Sequence, residues 1–303
     1  MLLLSLIAAA SQTAGATPAA PQPAPIVVQG VQDREKQVRT FIRDLTPAPV
    51  HGQLGRFEAA VCPAVAGVSP AQADFIVERL RRIATAVGIP VAKAHCDANV
   101  VLIVTADKAA LLKKLDKQRH DYFPPDWSGS QIRELERDSS PAAAWQFEQA
   151  YWADGRPISS DIIAAGTDGA GFLAAAQRTT EPASRLKPSA RNAFLTSIVV
   201  VQRNALDGLT TTQLADYAAM RAFVRTDPKR LPSNGIDTIL SVIDAPMGSA
   251  VPLTLTSWDL SFLKAFYQSG NNNYAEYQRA EMQRLMTREL DRIQQAASGE
   301  EKR

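Results

Sequence analysis

Two residues in an otherwise apolar segment have types that could do chemistry. Asp216 and Tyr217 sit among Leu214, Ala218, Ala219, Met220, Ala222, Phe223 and Val224. A carboxylate buried in such a helix is either paired or at work. As structure, Asp216 pairs with Arg221, Arg225 or an arginine distant in sequence. As chemistry, it is a catalytic carboxylate with a displaced pKa. The structural role is the expectation. Tyr217 either donates to a ligand carbonyl or is a core residue with a satisfied hydroxyl, the commoner case.

The other reactive side chains form no local signature. The three histidines, His51, His95 and His120, include no pair four residues apart, the spacing that puts two zinc ligands on one helix face. Ser159 and Ser160 lie in no G-x-S-x-G elbow. Gly166-Thr167-Asp168-Gly169-Ala170-Gly171 has neither G-x-G-x-x-G spacing nor the Lys-Ser/Thr of a phosphate loop, so it reads as a flexible loop. Cys62 and Cys96 are the only cysteines. Their spacing is unlike C-x-x-C, and a disulfide is expected if the chain is exported. A redox pair or a nucleophilic thiol is the alternative, with His95 beside Cys96 in its favour. With 33 basic and 31 acidic residues, the chain shows no excess of positive charge for binding nucleic acid.

The compartment is read from the start of the chain. Met1–Ala16 has an apolar run, Leu2 to Ala10, and a small-x-small end, Ala14-Gly15-Ala16, which predicts a secretory signal cleaved between Ala16 and Thr17. A basic n-region is missing, and the run is too short for the ~20 residues of a spanning helix. No transmembrane segment is expected in the mature chain. Residues 17–32 form a Pro/Ala-rich linker that contains Ile26-Val27-Val28-Gln29-Gly30, a short strand former.

The elements that would position these residues follow in order. Asp33–Leu45 is an amphipathic helix, Arg56–Val68 a strand carrying Cys62, and Ser69–Val87 a capped helix stopped by Gly88. Asn99–Thr105 is a buried strand, so the disulfide would tie neighbouring strands. Asp107–Arg119 and Ser130–Asp138 are helices. Trp145, Phe147 and Tyr151 alternate along an extended run, Asp154-Gly155 turns it, and Arg156–Ala165 returns as a second strand. Ala193–Gln202 is a buried strand, Asp207-Gly208 a turn, and Thr210–Thr226 a buried helix opened by a Thr210/Gln213 box and ended by Asp227-Pro228. Asn234–Ile243, a segment from Thr256 to Tyr267, and Tyr274–Ala297 are further helices. The expected fold is α+β, a mixed α/β single domain over residues 33–297, with a polar tail at 298–303.

This order of strand, backing helix, strand, insertion, hairpin, core strand and buried helix resembles the zincin metalloproteases. In zincins the helix after the core strand carries H-E-x-x-H. Here Gln213 and Tyr217 stand where the histidines would be, and Leu214 where the glutamate would be. Leucine is no base and glutamine a poor zinc ligand, so the resemblance implies a degenerate zincin-like scaffold with no metal and no cofactor. The stretches Gln213–Met220 and Leu255–Tyr267 are also similar to uncharacterised exported proteins of alphaproteobacteria. Ile26–Gly30 resembles the IVV-x-G segment of exported proteins that contact TonB, where the peptide adds a strand to its partner. The leading expectation is a non-catalytic periplasmic or secreted binding or scaffolding protein, with its groove beside Gln213, Asp216 and Tyr217 and an envelope protein or peptide as partner. The alternatives are an exported hydrolase with a rearranged site near Asp216, and an envelope protein docking through Ile26–Gly30.

Overall fold

The computed structural model describes residues 31–46, 52–152, 154–158, 188, 190–226, 230, 235–246 and 248–300. The expected signal, Ile26–Gly30, His51, Ser159, Ser160 and the 166–171 glycine loop lie outside the described residues.

The longest strand sets the architecture. In β5 (Ala190–Gln202), Ile198 and Val200 point to one face of the sheet, and Val199 and Val201 to the other. A strand apolar on both sides needs cover on both sides, which gives three layers. β3 (Val100–Thr105) behaves alike and runs parallel to β5, with Val101 beside Ile198 and Ile103 beside Val200. β2 (Pro63–Ala66) pairs parallel to β3 on its outer side, and β4 (Ala142–Trp152) runs antiparallel along the opposite edge of β5. Between Phe147 and Glu148 the β4 register shifts, so Leu195 has no partner residue. This bulge reverses the alternation of β5 and turns Phe194 into the same core as Val199 and Val201.

The expected single strand over Arg56–Val68 is two strands. β1 (Arg56–Phe57) pairs with β5 at Ala193 and Phe194, on the β5 edge that β3 occupies further along. The chain then steps sideways past β3 to become β2. Asn99, just ahead of β3, holds the step: its side chain accepts from the Cys62 N–H at 2.7 Å and donates to the Ala60 carbonyl at 3.1 Å. After β2, Gly67 takes φ +84°, and a Cβ there would lie 1.9 Å from the Val104 carbonyl oxygen.

One face of the sheet is covered by α2 (Pro70–Val87), α5 (Thr211–Phe223) and α6 (Ser257–Gln268), with α1 (Val31–Leu45) and α7 (Ala275–Glu300) behind them. α3 (Lys108–Gln118) and α4 (Gly129–Arg137) cover the other, around Leu112, Phe123, Ile132 and Trp145. The expected α+β, mixed α/β fold is present. Capping boxes open four helices, at Ser69/Gln72, Ser128/Gln131, Thr210/Gln213 and Thr256/Asp259, and Gly88 ends α2 in the left-handed region.

Four boundaries differ from the sequence reading. α5 stops at Phe223 rather than Thr226, because the Tyr267 hydroxyl donates to the Phe223 carbonyl at 2.6 Å and Val224 is already extended. The described part of Asn234–Ile243, residues 235–243, holds a 3₁₀ turn at Ile239–Ser241, opened by Thr238. In the described part of Arg156–Ala165 there is only an isolated bridge, Tyr151 to Pro157, and the long partner of β4 is β5. α7 runs to Glu300, into the expected polar tail.

Cys62 and Cys96 form a disulfide with Cα atoms 6.0 Å apart, joining the residues that lead into β2 and β3. Its loop spans a sequence separation of 34. Replacing both cysteines by alanine should cost about 3 to 4 kcal/mol in denaturant unfolding, since the unfolded chain regains the freedom of that loop. Non-reducing peptide mapping should recover the linked pair.

Between α6 and α7, Glu289 accepts from Lys264 at 2.7 Å and from Arg292 at 2.8 Å. These donors, Arg292 first, hold its carboxyl down at about 2, from an ordinary 4.5. A depressed folded pKa stabilises above the unfolded pKa and is lost as pH falls through the folded one. Acid titration of stability should therefore show a loss between pH 4.5 and about 2, and Glu289→Gln should remove that component while leaving neutral-pH folding intact.

Candidate functional site

The candidate residues sit on α5, which the sequence makes apolar nearly all round and the fold places against the sheet, α2 and α6. Gln213, Asp216 and Tyr217 are 2%, 0% and 0% exposed. Among the described residues each is enclosed by packing, and two have their polar atoms committed.

Gln213 closes the capping box of α5, accepting from the Thr210 N–H at 2.9 Å, and its amide donates to the Pro252 carbonyl at 2.8 Å. It thereby holds the 251–255 stretch to the start of α5. Asp216 makes a bidentate pair with Arg79 of α2, at 2.7 and 2.9 Å. The same carboxylate accepts from the Thr254 hydroxyl at 2.6 Å and the Leu255 N–H at 2.8 Å, and Arg79 also donates to Thr254 at 2.8 Å. Four donated hydrogen bonds saturate the carboxylate. Of the pairings expected for Asp216, the distant arginine is the one formed; Arg225 instead meets Glu148 of β4 at 2.6 Å.

Tyr217 differs. Its hydroxyl is buried and has no hydrogen-bond partner, and burial pushes its pKa up. One turn on, Arg221 is 5% exposed and donates to the Thr226 carbonyl at 3.2 Å, while its Nε is unpartnered. Gln146 of β4 bridges the Arg221 carbonyl and the Ser197 hydroxyl, at 3.0 and 3.4 Å. Desolvation pushes the Asp244 carboxyl up, against the pull of Arg221. These groups surround the last turns of α5 and join it to the sheet.

A second buried carboxylate, Asp259, has the same kind of task. It accepts from the Thr238 hydroxyl at 2.5 Å, the Ile239 N–H at 2.9 Å and the Thr256 N–H at 3.0 Å. Burial raises its pKa and the donors oppose the rise. Of the histidines, His120 pairs with Asp116 at 3.0 Å and His95 lies exposed on the loop before Cys96 with φ +59°. Among the described residues no three His, Cys, Asp or Glu side chains converge as a metal site would require. No described helix is long and apolar enough to cross a membrane.

An open concavity lies elsewhere. A groove of about 600 Å³ runs between the first turns of α1, the start of α6 and the last turns of α7. Ile236, Trp258, Leu290 and Ile293 give it apolar walls, and Arg34 and Asp237 give it charges of both signs. Trp258 is positioned by Phe41, whose ring lies 5.3 Å away and tilted. Sequence reasoning missed this groove. Its one linear signal is the apolar stripe of α7, which continues through Leu290 and Ile293 towards the end of the chain.

Removing the Asp216 carboxylate leaves Arg79, Thr254 and the Leu255 N–H without their acceptor. Asp216→Ala should cost about 3 kcal/mol in equilibrium unfolding, the lower end for a broken buried pair, because Arg79 keeps a path to water. Arg79→Ala should cost at least as much, because it strands the fully buried Asp216 carboxylate with only Thr254 and the Leu255 N–H as donors. The double variant should be more stable than the sum of the two losses implies, the mark of direct coupling.

Comparison with protein-family models, curated proteins and solved structures finds no match for this chain, and what it does must be argued from its own chemistry.

Proposed function

We propose that this chain is an exported, non-catalytic binding or scaffolding protein that holds an extended, aliphatic peptide segment of an envelope partner in the groove between α1, α6 and α7. The observation that carries this reading is the contrast between two places on the described chain. The carboxylate of α5 is fully enclosed and saturated by donors, whereas the α1/α6/α7 groove is open and sets Ile236, Trp258, Leu290 and Ile293 among the polar side chains of Arg34, Gln37, Asp237, Thr256 and Gln294. Aliphatic and aromatic surface set among convergent polar groups suits a site that binds by burial and hydrogen bonding together. The volume suits one or two aliphatic side chains, and Arg34 and Asp237 offer a donor and an acceptor for the peptide backbone beside them.

The disulfide favours an oxidising compartment, periplasmic or extracellular. The framework of this reading is zincin-like in its succession of core strand and buried helix. Gln213, Leu214 and Tyr217 occupy the positions that would have to supply zinc chemistry and serve packing and capping instead.

The test is an array of seven-residue peptides containing two or three consecutive aliphatic residues. It is probed with the mature chain (Thr17–Arg303) and with a version starting at Val31, which keeps every described element. Micromolar binding that falls at least tenfold in Trp258→Ala, with an unchanged melting temperature, is expected. Absence of binding by both versions, or binding indifferent to Trp258→Ala, overturns the reading.

A further inference from the structure

We propose that this chain also binds a small, uncharged polyhydroxylated ligand, a sugar of one or two rings, in a crevice at the carboxyl ends of β3 and β5, apart from the α1/α6/α7 groove. β3 and β5 are parallel neighbours that end level, with Thr105 beside Gln202. After β3 the chain enters α3, on the face of the sheet that holds Leu112 and Trp145. After β5 it passes through a turn at Arg203–Leu206 into α5, on the face that holds Leu214 and Phe223. Neighbouring strands whose exits part to opposite faces leave a crevice outside their carboxyl ends, the usual ligand position in open parallel sheets. β2 and β3 part in the same way, since α2 lies on the α5 face. That second gap is spanned by Arg203, which donates to the Gly67 carbonyl at 2.7 Å.

The gap between β3 and β5 stays open. It holds a cavity of about 480 Å³, closed on its third side by the run from Asp138 to Pro141 that leads into β4. That volume falls within the ~300–1,000 Å³ of small-molecule sites. Two amides line the cavity in a fixed order. Gln202 accepts from the Lys108 N–H at 3.3 Å, and its own NH₂ donates to Asn204 Oδ1 at 3.0 Å. Asn204 is thereby oriented with its NH₂ turned away from Gln202, on an exposed side chain. Glu136 lines the same cavity, half-buried, and its carboxylate has no partner among the described residues. Ala109, Pro141 and Ala205 supply apolar surface beside them. A free acceptor and an oriented donor in one cavity suit adjacent hydroxyl groups, each of which donates and accepts at once.

Charge selects among ligands. Lys108 is 3% exposed, and its Nζ donates to the Asp138 and Ser140 carbonyls, each at 2.7 Å. The ammonium thus holds the link between α4 and β4 against the start of α3 and makes the wall rigid. Two carboxylates, Glu136 and Asp138, line the cavity beside that one cation. The first turn of α3, where such a crevice would hold a phosphate, is already capped by Asp107, which accepts from the Ala110 N–H at 2.9 Å. A phosphate would be repelled by these carboxylates, and an ammonium would face the NH₂ of Asn204. A neutral hydroxylated ring meets neither penalty.

Two measurements test this. First, the mature chain is titrated by calorimetry with neutral saccharides (glucose, galactose, mannose, maltose, lactose and sucrose), and with inorganic phosphate and putrescine for comparison. At least one saccharide should bind with a Kd below about 1 mM. Glu136→Gln and Asn204→Ala should each weaken that binding about tenfold at an unchanged melting temperature, and Trp258→Ala should leave it as it was. Second, amide NMR with the bound saccharide should shift the signals of Lys108, Ala109 and Gln202–Ala205 and spare α7. No saccharide binding at about 20 mM overturns the proposal. So does binding of phosphate or putrescine in place of a saccharide, binding indifferent to both crevice variants, or shifts confined to other elements. Saccharide binding that Trp258→Ala removes places the sugar in the α1/α6/α7 groove and overturns it too. The peptide reading of that groove stands or falls separately, on the peptide array.

Discussion

The Arg79–Asp216 pair is the interaction on which the arrangement of the main core depends. It joins α2, which crosses from β2 to β3, to α5, which follows β5, and through Thr254 and Leu255 it fixes the stretch that delivers the chain into α6. The contacts of Leu80, Ile83, Ala218 and Phe262 in that core are apolar and nearly interchangeable, so they do not by themselves choose one sliding position of helix on helix. A fork of two nearly parallel hydrogen bonds does. The net contribution of a buried pair to stability is small, because both charges lose water. Its cost when broken is large, and this asymmetry is what makes it a register device for this chain.

The same economy governs the helix ends. α2 alone among α1, α2, α5 and α6 ends in a left-handed glycine. The others have their last carbonyls met by side chains from distant elements: Arg279 on Thr46 after α1, Tyr267 on Phe223 of α5, and Arg56 on Phe266 and Ser269 at the end of α6. Lys108 meets the Asp138 carbonyl after α4 in the same way. Each contact satisfies orphan acceptors and places a cation or hydroxyl at the negative end of a helix dipole. Arg56, Lys108 and Tyr267, side chains of the kind that would ordinarily advertise a reactive centre, are here occupied in closing helices.

This division explains what was legible in the residues and what was not. N-terminal signals are local: Ser69-x-x-Gln72 and Thr210-x-x-Gln213 specify their boxes within four residues, and the structure keeps both. β5 was legible because Ile198–Val201 is apolar on both faces. C-terminal signals are long-range. Nothing near Phe223 announces that Tyr267 will end its helix, so the sequence runs α5 on to Thr226. The break in Arg56–Val68 is hidden for the same reason, since Asn99, the residue that holds the sideways step, lies in a later segment. The candidate site fared likewise. An acid in an apolar helix marks Asp216 as buried and paired, but Arg79, 137 positions away, can be identified only once α2 and α5 are packed.

The groove follows from the mismatch of two helices rather than from any motif. α7 is 26 residues long and α1 is 15, and their pairing leaves the end of the longer one without a neighbour of its own kind. Counted from the Arg34–Asp291 contact, Val31 is level with Gln294, so Ile293 still lies beside the first turn of α1 and the apolar stripe ends where the pairing of the two helices ends. Leu290 and Ile293 face a wall supplied from within the fold, Ile236 and Trp258 on the far side of the groove, with Trp258 held there by Phe41.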